Sequence, residues 1–478
     1  MASGLARRLG TGDAVVVGLT AMIGAGVFAA FAPAASIAGR WLPAALALAA
    51  VVAYCNATSS ARLAARYPES GGTYVYGSRR LGPFWGYLAG WGFVVGKTAS
   101  CAAMALTFGA YVAPDLAVPL AVGAVVALTA LNLYGVQRSA TAARIIVALV
   151  LAVLAAVVVA GLTGGKAPTV SYLGLLQETW SRSAGAEPYL SPGALPEPSS
   201  DPQGSLDPDA QPDQERGLTA TFVAAGVPQG FSTAPADGLY PVGLWDVLQA
   251  AGLLFFAFAG YARIATLGEE VRDPERTIPK AISLALGITL VVYTLVALAT
   301  LRVLGPARLG LSPAPLVDTV TWAGAGWLAP VVRAGAAVAA LGALLALILG
   351  VSRTTFAMAR ERDLPGFLAA VHPVRQVPYR AELAVAALVI LLVLAVDLRG
   401  AIGFSSFGVL VYYAVANASA LTLTPDEGAP PKAVPLAGLA LCLVLAFTLP
   451  SESVVAGLVV FALGGLWWAW RRRLRIRG

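Results

Sequence analysis

The chain has 478 residues, of which 58% are hydrophobic and 12% charged, and its mean hydropathy is +0.76. That composition excludes the water-soluble globular classes and describes an integral membrane protein. The 32 Lys and Arg against 25 Asp and Glu give +7, but where the charges fall says more than their sum, and nothing in them calls for nucleic acid.

Windows dominated by Ala, Leu, Val, Ile and Gly fall at 13–38, 42–62, 83–113, 117–136, 142–163, 245–270, 281–303, 329–352, 381–397, 401–422, 433–449 and 452–470. At about 20 apolar residues per crossing, they predict an all-α protein of twelve transmembrane helices, the size of a carrier or pump and not of an anchor. Span 1 follows Arg7 and Arg8 and carries an Ala-x-Ala-like stretch near Phe31, as a secretory signal does. The eleven spans after it favour an uncleaved first helix. With the N-terminus in the cytoplasm, 22 basic residues lie inside and eight outside, while Lys97 and Arg263 lie within spans. The positive-inside rule therefore predicts that both termini are cytoplasmic, the tail Arg471-Arg472-Arg473 acting as a stop at the headgroup level, and the plasma membrane is the expected location.

Span 1 carries Gly24 and Gly26 at mid-membrane depth, where every backbone group needs a partner. Small residues there serve either close helix packing or an unwound turn. Gly82, Gly86 and Gly90 in span 3, spaced by four, read as packing. Lys97 lies 14 residues, or about 21 Å, along that helix from Pro83, inside the hydrocarbon core. Either the protonation or pairing of a charge so placed accompanies transport, or the lysine is fixed by carbonyls at a helix interface. Residues 164–243 hold 11 of the 31 prolines and nine acidic against three basic residues, which predicts a disordered extracellular tether. Span 6 then repeats the interruption, with Phe255-Phe256-Ala257-Phe258-Ala259-Gly260-Tyr261 at matching depth.

Paired interruptions in corresponding positions of two halves point to a substrate site, because irregular backbone survives in lipid only where it lines a cavity. Amides after the span 1 break suit a carboxylate, and free carbonyls at the span 6 break suit an ammonium group. Arg263 precedes Glu270 by seven residues, the spacing for an ion-pair chain with Glu270 or Glu69 at an inner gate.

Four stretches carry a resemblance: GLTAMIGAGVF at 18–28, RYPESGGTYVY running into LGPFWGYLAGW at 66–91, FFAFAGYARIATLGEEVRDPERTIPKAI at 255–282, and SRTTFAMARERDLPGFLAAVHP within 352–378. From about residue 11 to about residue 422, outside the acidic loop, the sequence resembles the amino acid-polyamine-organocation (APC) superfamily of secondary transporters. The resemblance implies a LeuT-type 5+5 inverted repeat with broken helices 1 and 6, working by alternating access. It divides the chain into a first repeat at 1–163, the loop at 164–243, a second repeat at 244–422, and helices 11 and 12 with the basic tail at 423–478. It also implies that the amides near Ala25, Gly26 and Val27 hold an α-carboxylate, that the carbonyls of Phe256, Ala257 and Ala259 hold the α-amino group, and that Phe258 is a gate. Ala25 replaces the Ser or Thr usual between the two glycines. The lysine that many proton-dependent or sodium-independent relatives keep in span 5 falls at about Val150, and 339–350 of span 8 contains no hydroxyl or carboxyl group to complete a sodium shell.

A pocket built from Ile23, Phe256, Phe258 and nearby 345–349 is apolar, and no Asp or Glu is expected at its depth, so a small or branched neutral amino acid fits it. An acidic amino acid becomes the alternative if Lys97 reaches the pocket. A polyamine or other organic amine and a non-transporting receptor with a carrier fold complete the alternatives. The expected partners are the substrate, the lipid bilayer and, if Lys97 couples transport, protons. No cofactor or metal is implied. Cys55, Cys101 and Cys442 are too few and scattered for a disulfide or zinc framework. An enzyme would need a nucleophile, base or metal cluster facing water, and none is found, since His372 beside Pro373 reads as a turn residue.

Overall fold

Apolar side chains in lipid leave the backbone only itself to bond with, and the chain answers with helices. The computed structural model describes residues 10–24, 26–68, 71–134, 140–168, 242–265, 271–375 and 377–477. Helices α1 (Thr11–Met22), α2 (Gly26–Ala29) and α3 (Phe31–Ala38) fill the first predicted window; α4 (Leu42–Arg66) fills the second, and α5 (Thr73–Arg80) follows it. Helices α6 (Pro83–Val112), α7 (Ala117–Leu133) and α8 (Ala140–Thr163) complete the first half. After the loop come α9 (Leu244–Phe258), a 3-10 turn at Ala259–Tyr261, α10 (Ala262–Ala265), α11 (Pro274–Leu311), α12 (Pro315–Trp322) and α13 (Ala329–Arg360). The chain closes with α14 (Tyr379–Ala395), α15 (Leu398–Leu421), α16 (Ala433–Thr448) and α17 (Ser451–Arg477).

Among the described residues, 10 helices are long and apolar enough to cross a membrane, which makes this a multi-pass membrane protein. α16 is a shorter apolar helix and α14 has 17 residues. The described residues up to 167 and from 242 onward gather into one compact unit. The acidic loop expected to be disordered lies, from 169 to 241, outside the described residues.

Two boundaries differ from the hydropathy windows for local chemical reasons. Asp397, read as the end of span 9, is instead the N-cap of α15: its Oδ1 accepts the Gly400 amide at 2.8 Å, satisfying a donor that the helix start leaves free. α11 runs 38 residues, beyond the predicted 281–303, and bends where Gly305 adopts φ +70° ahead of Pro306, which has no amide to donate.

Helix α6 is the buried axis, packed on α15 and α13. Its glycines allow this: a Cβ on Gly96 would meet the Ser405 carbonyl at 3.1 Å, and one on Gly408 would meet Gly96 Cα at 2.9 Å. Ser100 and Ser405 hydroxyls bond across the same seam at 2.6 Å. Gly86 and Gly90 pack as expected, against Ser78 and against Met358 and Tyr74. Gly82 does not: it has open space around it and is needed for φ +107° at the start of α6, a conformation that L residues rarely adopt. Pairings recur between the halves. α1 packs on α11 as α9 packs on α4; α6 on α15 as α13 on α8; α4 on α15 as α11 on α8; and α9 on α15 as α1 on α8.

At one end of the bundle, Glu427 in the turn between α15 and α16 accepts Arg80 at 2.5 Å and Arg66 at 3.3 Å, tying that turn to α5 and α4. The Arg80 hydrogen bond, and then the Thr424 amide, push the Glu427 carboxyl down to about 2 from its ordinary 4.5. A depressed carboxylate contributes stability above its unfolded value and loses it as pH falls from about 4.5 through about 2. Glu427→Gln is therefore expected to lower the thermal stability of the detergent-solubilised protein slightly, and equally at pH 7 and pH 5.5. A thermal-shift series over that range checks it; a deficit that vanished by pH 5.5 would contradict the ion-pair assignment.

Candidate functional site

Helix α1 ends at Met22, with the Ile23 amide bonded to the Leu19 carbonyl at 2.7 Å, and helical backbone resumes at Gly26. α9 ends at Phe258 and tightens into the 3-10 turn, where the Ala259 amide bonds back to the Phe255 and Phe256 carbonyls. The two breaks meet backbone to backbone. A Cβ on Gly26 would fall 2.8 Å from Ala257 Cα, one on Gly260 2.4 Å from the Ala21 carbonyl, and one on Gly24 2.6 Å from Ala343 Cβ. The two readings of Gly24 and Gly26, close packing and an unwound turn, are thus compatible: the missing side chain at Gly26 lets one irregular segment lie on the other, and the one at Gly24 lets α13 approach.

Terminal carbonyls of a helix have no intrahelical donor, so something else must bond them in lipid. The Tyr293 hydroxyl of α11 donates to Met22 O at 2.6 Å and to Ala257 O at 3.1 Å, one proton shared by the ends of both broken helices. Lys97 of α6 donates from Nζ to Ala259 O at 3.3 Å, and Tyr413 of α15 reaches the same carbonyl at 3.5 Å. Tyr111 of α6 donates to Phe28 O at 3.0 Å, its ring edge-on to Phe28, and Arg333 of α13 donates to the Tyr111 carbonyl at 2.8 Å.

The structure brings together Ile23, Gly24, Gly26, Val27, Phe256, Ala257, Phe258 and Ala259, all buried. Phe258 stacks edge-on against Tyr293 with ring centroids 5.1 Å apart. Lys97 joins them and is 6% exposed, so it does reach the breaks. No carboxylate among the described residues forms an ion pair with it. Arg263 lies in α10, partly buried. Ala25, Glu69 and Glu270 lie outside the described residues, and with them the expected ion-pair chain of Arg263. Val150 is buried in α8.

The part of α13 that faces Gly24 at the span 1 break is Ala343 with the Ala339 carbonyl, two and six residues before the start of the expected 345–349 lining, and the backbone at Gly24 comes close enough there to admit only a methyl group. The sequence reading also passed over three residues. Tyr293 and Tyr413 are hydroxyls in apolar spans, a signal visible in the sequence. Glu382, in the first turn of α14, is buried, and its Oε1 has no hydrogen-bond partner among the described residues. His372 makes a turn, its Nδ1 accepting the Val374 and Arg375 amides at 3.3 and 3.2 Å. Cys55, Cys101 and Cys442 are buried free thiols.

The arrangement offers amides at the head of α2, carbonyls at the foot of α9, apolar side chains around both, and one ammonium. Comparison with known proteins accords with this chemistry. A family model described as amino acid permease matches residues 9–464. A protein of Mycobacterium tuberculosis named as an uncharacterized transporter is 59% identical over 460 residues, 96% of this chain and 90% of that one. The branched-chain amino acid permease BcaP of Bacillus subtilis is 26% identical, with 96% and 92% of the two chains aligned. Cationic amino acid transporter 4 of Homo sapiens is 25% identical over 90% of this chain and 62% of that one.

Proposed function

Since the chain belongs to the amino acid permease family, we propose that it carries neutral amino acids, small or branched, across the plasma membrane by alternating access. The names of the distant relatives divide between branched-chain and cationic substrates at nearly equal identity, so side-chain charge has to be argued from the site. The observation that carries the neutral reading is Lys97 on the carbonyl of Ala259, which follows the buried Phe256 and Phe258 in the chain. A lysine or arginine side chain brought there would meet a like charge in a medium that screens it poorly. A branched aliphatic side chain would bury its area against Ile23 and the two phenylalanines.

Twelve membrane crossings, cytoplasmic termini and the LeuT-type inverted repeat belong to the same reading. The helix pairings recurring between α1–α8 and α9–α15 support the repeat, since exchanging the halves maps α1 with α11 onto α9 with α4, and α6 with α15 onto α13 with α8. The two repeats would rock about the paired breaks, exposing the amides of Gly26 and Val27 and the carbonyls of Phe256, Ala257 and Ala259 to each side in turn. Arg263 with Glu270 would gate the inner side. The acidic loop would remain a tether between the repeats.

An acidic amino acid is the second reading, favoured by the same ammonium, which has no carboxylate partner among the described residues. Counterflow in proteoliposomes separates the two and needs no coupling ion. Vesicles loaded with leucine, isoleucine, valine or alanine are expected to accumulate the labelled amino acid several-fold over empty controls. Vesicles loaded with lysine, arginine or putrescine are expected to stay at the control level. Accumulation with aspartate or glutamate alone would replace the neutral reading by the acidic one, and silence across the panel with folded protein would favour a receptor.

A further inference from the structure

At Ala259 the carbonyl oxygen takes two side-chain donors from the protein itself: Lys97 Nζ at 3.3 Å from α6 and the Tyr413 hydroxyl at 3.5 Å from α15. Its neighbours at the break meet other donors. Ala257 O accepts Tyr293, and Phe256 O accepts the Ala259 amide. The ammonium therefore sits at one of the carbonyls that the permease reading assigns to the substrate's α-amino group.

Resting on that reading, we propose that Lys97 is a tethered stand-in for the substrate's ammonium: it holds the Ala259 carbonyl while the site is empty and yields it to the incoming amino acid. Both are primary ammonium groups with several donors and no acceptor, so the carbonyl is served alike before and after the exchange. The exchange keeps a charged donor on this carbonyl at the foot of α9 at every stage. It also ties substrate entry to a rearrangement on α6, the helix buried between α15 and α13. Lys97 thereby competes with the substrate from within the chain, which lowers affinity, and only a ligand that brings both an ammonium and a carboxylate gains enough contacts to displace it.

The test measures binding of labelled leucine to the purified full-length protein, with wild type compared with Lys97→Met, Lys97→Gln and Lys97→Arg. Loss of a charged donor from one carbonyl is worth about tenfold, so the Met and Gln variants are expected to bind leucine about tenfold more tightly, and the Arg variant no more tightly than wild type. Isoamylamine, which is leucine without its carboxylate, is expected to compete for the site in Lys97→Met and not in wild type. A merely structural lysine would not open an amine subsite. The proposal is overturned if all variants bind leucine within twofold of wild type and exclude the amine. It is overturned equally if the Met and Gln variants, monodisperse on size exclusion, lose binding, which would make Lys97 a direct ligand of the substrate. If wild type itself gives neither binding nor counterflow across the amino acid panel, the permease-substrate reading fails first and the stand-in falls with it; counterflow in wild type with indifferent Lys97 variants sinks the stand-in alone.

Discussion

Gly260→Ala is expected to reduce transport below about a tenth of wild type and to lower the yield of folded protein. The new methyl group would lie 2.4 Å from the Ala21 carbonyl carbon and oxygen and 2.6 Å from the Met22 amide nitrogen, against about 3.5 Å for ordinary contact. All three obstructing atoms are backbone, so no rotamer change relieves them; α1 and the 3-10 turn have to part. Overpacking costs about 1–3 kcal/mol where side chains can shift, and a backbone obstruction belongs at or above the top of that range. It also pulls the Met22 end of α1 away from the Tyr293 hydroxyl. Gly287→Ala on α11, whose new Cβ would find nothing within 4 Å, is the control and should match wild type. Counterflow and thermal unfolding of both variants check the pair; wild-type transport by Gly260→Ala would mean that the breaks do not meet as described.

Tyr293→Phe is expected to leave the protein folded and to slow transport by about tenfold or more. Removing the hydroxyl keeps the ring, its edge-on contacts to Phe258 at 5.1 Å and Phe31 at 6.1 Å, and the packing volume. What goes is the hydroxyl that donates to both Met22 O and Ala257 O. A single hydrogen bond between membrane helices averages about 0.6 kcal/mol, which predicts little change in stability. Leaving terminal carbonyls of both broken helices unserved costs more, about 1–3 kcal/mol, and falls on the segment that transport has to rearrange. The expected signature is a fall in counterflow rate with unfolding temperature nearly unchanged. A rate within twofold of wild type would reduce Tyr293 to packing.

The sequence made the helices legible because lipid imposes one rule on every span, and each apolar window holds helix, the first divided among α1, α2 and α3 and the sixth between α9 and α10. The interruptions were legible too, since Gly24-Ala25-Gly26 and Ala259-Gly260 stand out in runs of helix formers. What the windows could not reveal is direction. Gly82 shares its four-residue spacing with Gly86 and Gly90 but owes its place to backbone conformation, which no spacing encodes. The stripe of α13 that meets the span 1 break is fixed by rotation about the helix axis, so Ala343 had no sequence signal distinguishing it from 345–349. Tyr293 was visible as a hydroxyl in an apolar run, yet its two carbonyl partners lie 271 and 36 residues away. Lys97 was the exception: a charge in the hydrocarbon core demands an account by itself, and the pairing with carbonyl oxygen was one of the two foreseen.

The buried thiols give the protein a clock of its own. Cys101 sits one helical turn past Lys97 on the same face of α6 and is 0% exposed, as inert to a maleimide as the closed structure can make it. Its labelling requires α6 to separate from its neighbours, so the rate of modification counts openings in the way that amide exchange counts unfolding. Because Cys55 and Cys442 are also buried, at 5% and 1% exposure, the described thiols make a quiet background. The unaltered protein can thus report how often its own axis comes loose, with and without an amino acid in the medium.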